Sequence, residues 1–231
     1  MTESQLRFVP WGLDHAAALL LTAILVVALI SVRRQLRAID DRWLRRGLAI
    51  LLLGNELLSW PIGCSQGFVR VPLQLCDVTL VLATWALLLG EGRRVNELAY
   101  FWGLAGSVQA LLTPDLAQPF PSYWWLKFFV SHIGIVVATT YLALTGRVQP
   151  TLRSVWAAFG WGNVYVLCAG LLNWRFSLNL GYLAEKPTHP SLLDYFGPWP
   201  VYILAMEVIA FVSFLLLGLP FALFPRVARR A

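Results

Sequence analysis

Charge is what this sequence has least of. Of its 231 residues only 13% are Asp, Glu, Lys or Arg and 58% are hydrophobic, whereas an ordinary soluble domain has about 25% charged and about 45–50% apolar residues. Charges this sparse cannot coat a globule of this size, and eleven Trp and thirteen Phe residues would have to meet water. A soluble single domain is therefore the wrong starting point, and the composition asks for lipid as solvent. Cysteine is also scarce. Cys64, Cys76 and Cys168 make an odd count, too few for a disulfide framework; Cys64 and Cys168 are read as packing residues, with an outer-face pairing of Cys64 left open. There are three His and no HxxxH or CxxC spacing, so no metal site and no cofactor are expected. Neither a Gly-rich phosphate loop nor a G-x-S-x-G elbow is expected. No low-complexity stretch, soluble domain or internal repeat interrupts the chain, which reads as a single integral membrane domain over 1–231.

What is present is a series of long apolar runs. A bilayer core needs about 20 apolar residues per helix, and seven runs of about that length are bounded by charge, Pro or Gly: 14–32, 47–62, 73–90, 96–113, 124–145, 152–173 and 199–224. The fourth is the most polar, with Asn96, Glu97, Ser107 and Gln109. The expected fold is all-α, a polytopic membrane bundle of seven transmembrane helices. The net charge of +6 sets its orientation. Thirteen of the 18 Lys and Arg residues fall in four clusters on one side: Arg33, Arg34, Arg37, Arg42, Arg45 and Arg46; Arg93 and Arg94; Arg147 and Arg153; Arg226, Arg229 and Arg230. Arg7, Arg70, Lys127, Arg175 and Lys186 fall on the other. The positive-inside rule then puts the N-terminus outside and the C-terminus in the cytoplasm. Clusters of this kind mark topology and are no nucleic-acid footprint. The first span is read as retained, because Glu3, Arg7 and Asp14 precede it in place of a basic leader.

Trp11, Trp60, Tyr123, Trp124, Trp125, Trp174, Trp199 and Tyr202 cluster at the outer ends, as an interfacial aromatic belt does. The stretch 174–198 is too polar and proline-rich for a membrane helix and reads as an outer lid.

Ionisable side chains within spans are costly and by default face the protein interior or a cavity. At about 1.5 Å per residue from each outer helix end, Cys76 lies roughly 6 Å deep, Glu56 roughly 9 Å, His132 and Glu207 roughly 12 Å and Asn163 roughly 15 Å. Asn55, Ser59, Gln74, Asp77, Gln109 and Tyr165 fall in the same half, above an apolar floor. Cys76 sits one turn into a helix opened by Pro72; the positive helix end favours a thiolate, while burial and Asp77 favour the neutral thiol. The bland reading of Cys76 is a small core residue. A lone mid-span His132 is harder to explain as packing, and a Cys beside a His is the arrangement for thiolate catalysis. Glu56 and Glu207 are read either as network members that orient His132 or as part of a proton or cation pathway. Asn163, on a stripe with Gly160, Leu167 and Gly170, suits close helix packing with one interhelical hydrogen bond.

Four segments together resemble the YwaF family of bacterial multipass membrane proteins, related to the eukaryotic transmembrane protein 164 group. They are VPLQLCDVTLVLA around Cys76, SHIG around His132, NLGYLAEKP with Asn179, Tyr182, Lys186 and Pro187, and LLDYFGPWPVYIL with Asp194, Gly197, Pro198, Trp199 and Pro200. Where the family pattern often has His two residues before the Cys, this chain has Gln74. The resemblance implies a bacterial inner-membrane protein in which Cys76 and His132 act on the acyl ester of a membrane lipid through a thioester. Backbone N–H groups at the start of span 3, Asn163 or Tyr165 are the candidates for an oxyanion hole. Glu56, Asp77, Asn163, Tyr165, Glu207, Asn179, Tyr182, Lys186, Asp194 and Trp199 form the expected pocket and its network. Two rivals use the same pocket without acyl chemistry: a proton-coupled transporter or small-ligand binding protein titrating Glu56, Asp77, His132 and Glu207, and a receptor-like scaffold.

Overall fold

The computed structural model describes residues 7–68, 71–90 and 93–223. Arg70 and the tail arginines Arg226, Arg229 and Arg230 lie outside them. Among the described residues the chain is all-helical with no strand: α1 (Leu13–Ser31), the short α2 (Arg33–Ala38), α3 (Arg42–Ser65), α4 (Leu75–Leu89), α5 (Arg93–Leu112), α6 (Tyr123–Leu144), α7 (Leu152–Phe176) and α8 (Val201–Leu223). Two 3-10 turns, Leu180–Tyr182 and Leu192–Phe196, break the long α7–α8 connection. Five of these helices, α1, α3, α6, α7 and α8, are long and apolar enough to cross a membrane. The apolar α4 has 15 residues, about 22 Å of helix, and α5 carries Arg93, Arg94, Asn96 and Glu97 in its first turns. Helices α3 and α7 run past the expected spans: Arg42, Arg45 and Arg46 are already helical, and α7 continues to Phe176, so the lid begins at 177.

Helix ends follow local chemistry. Ser122 caps α6 by accepting from the Trp125 N–H, Thr151 and Ser154 close a reciprocal capping pair at α7, and Gly90 ends α4 in the left-handed region at φ +66. Helix α6 is the axis. Every residue from Ser131 to Thr139 is buried, and α1, α3, α4 and α5 all pack on it. Small residues allow that approach: a Cβ on Gly134 would lie 2.7 Å from the Leu52 side chain, and one on Gly103 2.7 Å from Thr139. Helices α7 and α8 pair with each other and reach this group through α5.

The end of the bundle away from the lid, inner in the expected orientation, is tied by a polar knot. Asp41, ahead of α3, accepts from Arg45 at 3.1 Å, from Arg147 at 2.9–3.0 Å and from the Tyr141 hydroxyl. Arg45 also donates to the Leu87 carbonyl at 2.5 Å and Arg37 to the Leu144 carbonyl at 2.6 Å. Loops between helices are thereby pinned by cations that the positive-inside rule counts only as charge. The aromatic belt needs correction at two positions: Trp11, Trp60, Trp174 and Trp199 are exposed, but Trp125 and Tyr202 turn inward and are buried.

Burial alone would raise the Asp41 carboxyl, but the Tyr141 and Arg45 hydrogen bonds and the charges of Arg147 and Arg45 outweigh it and hold it below its ordinary range. A carboxyl lowered on folding stabilises the fold above its unfolded value of about 4 and loses that contribution as pH falls through the lower folded value. Asp41→Asn is expected to cost about 2–4 kcal/mol at neutral pH, read as a drop in melting temperature in detergent. The gap from wild type should narrow on acidification below pH 4; a gap that widens there would contradict this account.

Candidate functional site

The outer half of the bundle encloses a cavity of about 660 Å³, within the range of small-molecule sites. The first turn of α4, the outer parts of α5, α6, α7 and α8, and the lid all contribute to its wall. Hydrogen bonds and ring contacts between α5 and α8 involve Tyr100 with Leu217 and Phe221, and Phe101 with Phe214, toward the inner end. Farther out, the exposed Gln109 and Leu112 on α5 and Ile203, Met206 and Glu207 on α8 all border the cavity.

Cys76 and His132 both line this cavity. Cys76 is half-buried, the second residue of α4, with its sulfur 3.9 Å from Asp77 Oδ1. His132 is buried, and its Nδ1 lies 2.8 Å from the Phe128 carbonyl. A carbonyl only accepts, so Nδ1 carries the proton and the basic lone pair is on Nε2. The Phe128 ring packs on the imidazole at 4.1 Å between centroids. His15 shows the structural alternative: it is fully buried with both ring nitrogens engaged by backbone, Nδ1 with Trp11 N–H at 2.9 Å and Nε2 with the Leu111 carbonyl at 2.7 Å.

Tyr165, Tyr182 and Glu207 line the same cavity, and the other expected residues surround it. Glu56 is buried on α3 and pairs with Lys127 Nζ at 2.8 Å, while the Asn55 amide donates to the Lys127 carbonyl and to Ser131 Oγ. Asp77 accepts from Gln74 N–H at 3.0 Å. Asn163 donates both amide protons, to the Phe159 carbonyl at 3.0 Å and to Glu207 Oε2 at 3.1 Å. It therefore makes the expected interhelical bond. Its stripe does not face a helix, however: Gly160 and Leu167 point outward and are exposed. Tyr165 donates to the Leu73 carbonyl at 3.0 Å. With Asn163 and Tyr165 both committed, and the Asp77 and Val78 N–H groups donating to the Gln74 carbonyl at 2.9 and 3.1 Å, the remaining candidates for an oxyanion hole are the first two N–H groups of α4, those of Leu75 and Cys76.

The lid packs down as a built element. Asn179 loops it through the Ala184 and Glu185 N–H groups, Trp199 donates to the Leu183 carbonyl and Tyr202 to the Tyr182 carbonyl. Lys186 lies 4.0 Å from Asp194 and over the Tyr202 ring. Two attachments were not legible as such. Gln74 donates to the Asn179 carbonyl at 3.2 Å and accepts from the Gly181 N–H at 2.8 Å, so the residue two before Cys76 clamps the lid to its helix. Asp115 accepts from Tyr182 at 3.0 Å and pairs with His189 at 2.6 Å. Burial, then the charge and hydrogen bond of Asp115, push the Tyr182 phenol far above its usual range, with a smaller push from Cys76. Cys64, Cys76 and Cys168 are all free thiols, so no disulfide is formed. One match was passed over: GCSQG at 63–67 has the letters of a G-x-S-x-G elbow. Ser65 closes a helix, and its hydroxyl donates to the Ile62 carbonyl at 2.8 Å, without the strand-to-helix turn that exposes a nucleophile.

The model of the TMEM164 family matches residues 10–218. The chain belongs to that family. No curated protein and no solved structure matches it. Family membership and the apolar helices together make this a multipass membrane protein. All four segments that carried the resemblance lie inside the matched region of this TMEM164 family chain.

If Gln74 holds the lid, Gln74→Ala should remove two neutral hydrogen bonds worth about 1 kcal/mol each. Hydrogen exchange at 178–184 is then expected to accelerate roughly 5- to 30-fold, with α6 unchanged. Unaltered exchange in the lid would show that the clamp contributes nothing.

Proposed function

We propose that this TMEM164 family protein is a bacterial inner-membrane acyltransferase or acyl hydrolase acting on membrane lipid, with seven spans, an outer N-terminus and a cytoplasmic C-terminus. The observation that carries the reading is that Cys76 and His132 line one cavity, with the Phe128 carbonyl fixing the imidazole tautomer so that Nε2 is the base. His132 Nε2 takes the Cys76 thiol proton as the sulfur attacks the ester carbonyl. The tetrahedral oxyanion is met by the first N–H groups of α4. Its collapse breaks the carbon–oxygen bond, His132 returns the proton to the leaving alkoxide, and the acyl group stays on sulfur. An acceptor hydroxyl, or water in the hydrolase, then gives its proton to His132, attacks the thioester and releases the Cys76 thiol. Glu56, Asp77, Asn163, Tyr165, Tyr182 and Glu207 shape and brace the pocket; Asn179, Lys186, Asp194 and Trp199 brace the lid. The transporter reading gains less support, since Glu56 faces Lys127 and Asp77 caps α4.

A lipid-like acrylamide probe tests the chemistry, in a background with the exposed Cys64 and Cys168 replaced by Ala. Labelling should vanish in Cys76→Ala and slow at least about 100-fold in His132→Ala, the usual contribution of a general base. Equal labelling in either variant sinks the mechanism. Orientation has its own test: with native Cys64 removed, a cysteine at Pro187 should react with an impermeant maleimide from outside intact cells and one at Gln149 should not. The reverse pattern would invert the pocket.

A further inference from the structure

Among the described residues, the cavity that holds Cys76 and His132 has one permanent cation in its wall, Lys127. Its side chain is 9% exposed, and its ammonium faces Glu56 Oε2 at 2.8 Å. An ammonium carries three N–H donors, and one carboxylate oxygen occupies one direction. The two carboxylates of the wall, Asp115 and Glu207, are served by other groups: Tyr182 and His189 for the first, Asn163 for the second. Keeping a buried ammonium on a largely apolar cavity wall is expensive unless something anionic compensates it, and the Glu56 carboxylate can engage only part of its donor capacity.

Its position is as informative as its charge. Lys127 lies one turn into α6 from the outer end and His132 five residues deeper, an axial separation of about 7.5 Å. In a glycerophospholipid five bonds separate phosphorus from the nearer ester carbonyl carbon, roughly 6 Å when extended. An anion at Lys127 would thus leave an ester carbonyl near the level of His132, with the acyl chain running along the apolar wall formed by Phe128, Phe159 and Phe214. A fatty acid carboxylate at Lys127 would put no ester there.

We infer that Lys127, held in place by Glu56, is the specificity-determining residue that binds the phosphodiester of a lipid headgroup and thereby sets the ester register against Cys76. This rests on the proposed acyl chemistry for its purpose, but the binding itself does not require turnover. Glu56 acts as a counter-charge that keeps the ammonium in place and moderates its affinity.

The test is binding in detergent to the full chain carrying Cys76→Ala, which blocks turnover. A palmitoyl lysophospholipid, palmitoylglycerol and palmitate displace a fluorescent palmitoyl probe. The lysophospholipid should bind at least tenfold more tightly than palmitoylglycerol. Lys127→Gln should erase that preference while leaving palmitoylglycerol unchanged, and Lys127→Arg should keep it. Glu56→Gln should strengthen the preference, because the cation loses its competitor. Should Lys127→Gln fail to fold, the Arg and Glu56→Gln variants still decide the matter. An undiminished preference in Lys127→Gln, an equal loss in Glu56→Gln, or palmitate binding as tightly as the lysophospholipid would each overturn the assignment. Failure of the acyl chemistry would show instead as unlabelled Cys76 with this preference intact.

Discussion

In hydrocarbon a polar side chain has no solvent partner to fall back on, so every polar group in these helices must be satisfied by another part of the chain or face an internal space. The Glu56–Lys127 pair, the Asn163–Glu207 bond and the His132–Phe128 bond are three solutions to that constraint, and they stand around one cavity. Two of the three are interhelical, which fixes the rotation of α3 against α6 and of α7 against α8. The third lies within α6 and turns an imidazole. The cavity wall is therefore a consequence of polar satisfaction as much as of apolar packing. Below it the constraint eases: Leu52, Leu80, Leu87, Phe101 and Ile135 close the space, and a buried hydroxyl such as that of Thr139 is met by the Ile135 carbonyl of its own helix.

The two ends of the bundle solve their own version of the problem. At the inner end Asp41 gathers two guanidinium groups and a phenol from α3, α6 and the loop after α6. At the outer end Gln74 and Asp115 anchor a lid whose own backbone bonds are closed by Asn173 and Asn179. These anchors belong to different neighbours: Gln74 precedes the helix of Cys76, while Asp115 lies between α5 and α6. The lid is attached on both sides of the cavity it covers.

How far the sequence was legible follows from the range of each signal. Long apolar runs declare helices locally, so the helices fall near the expected positions, and depth counted along each run put Cys76, His132, Tyr165 and Glu207 at the level of one cavity, which the lid residue Tyr182, marked only by the resemblance, also lines. Partners were not legible. Lys127 was counted as a topology charge, yet its carboxylate is 71 residues away in sequence, on α3; Gln74 read as an outer-half polar residue and Asp115 carried no signal, because both act through a lid far away in sequence. Trp125 and Tyr202 misled for a related reason: aromatic rings at helix ends suit both the headgroup layer and the protein core, and only packing decides between them.

The lid bears on which of two outcomes a thioester would meet. Its residues Gly181, Tyr182, Leu183 and Phe196 form part of the cavity wall on the outer side, while α5 and α8 border the cavity laterally with exposed Gln109 and Leu112. In the proposed orientation water would approach from the outer face and lipid from the flank. Under the proposed chemistry, a wall tied down at Gln74 and Asp115 on the lid side would favour capture of the acyl group by a lipid hydroxyl over hydrolysis, because excluding water suppresses the competing reaction. Under that reading the lid's internal hydrogen bonds would serve to keep it shut, since a lid that opened freely to water would turn a transferase into a hydrolase.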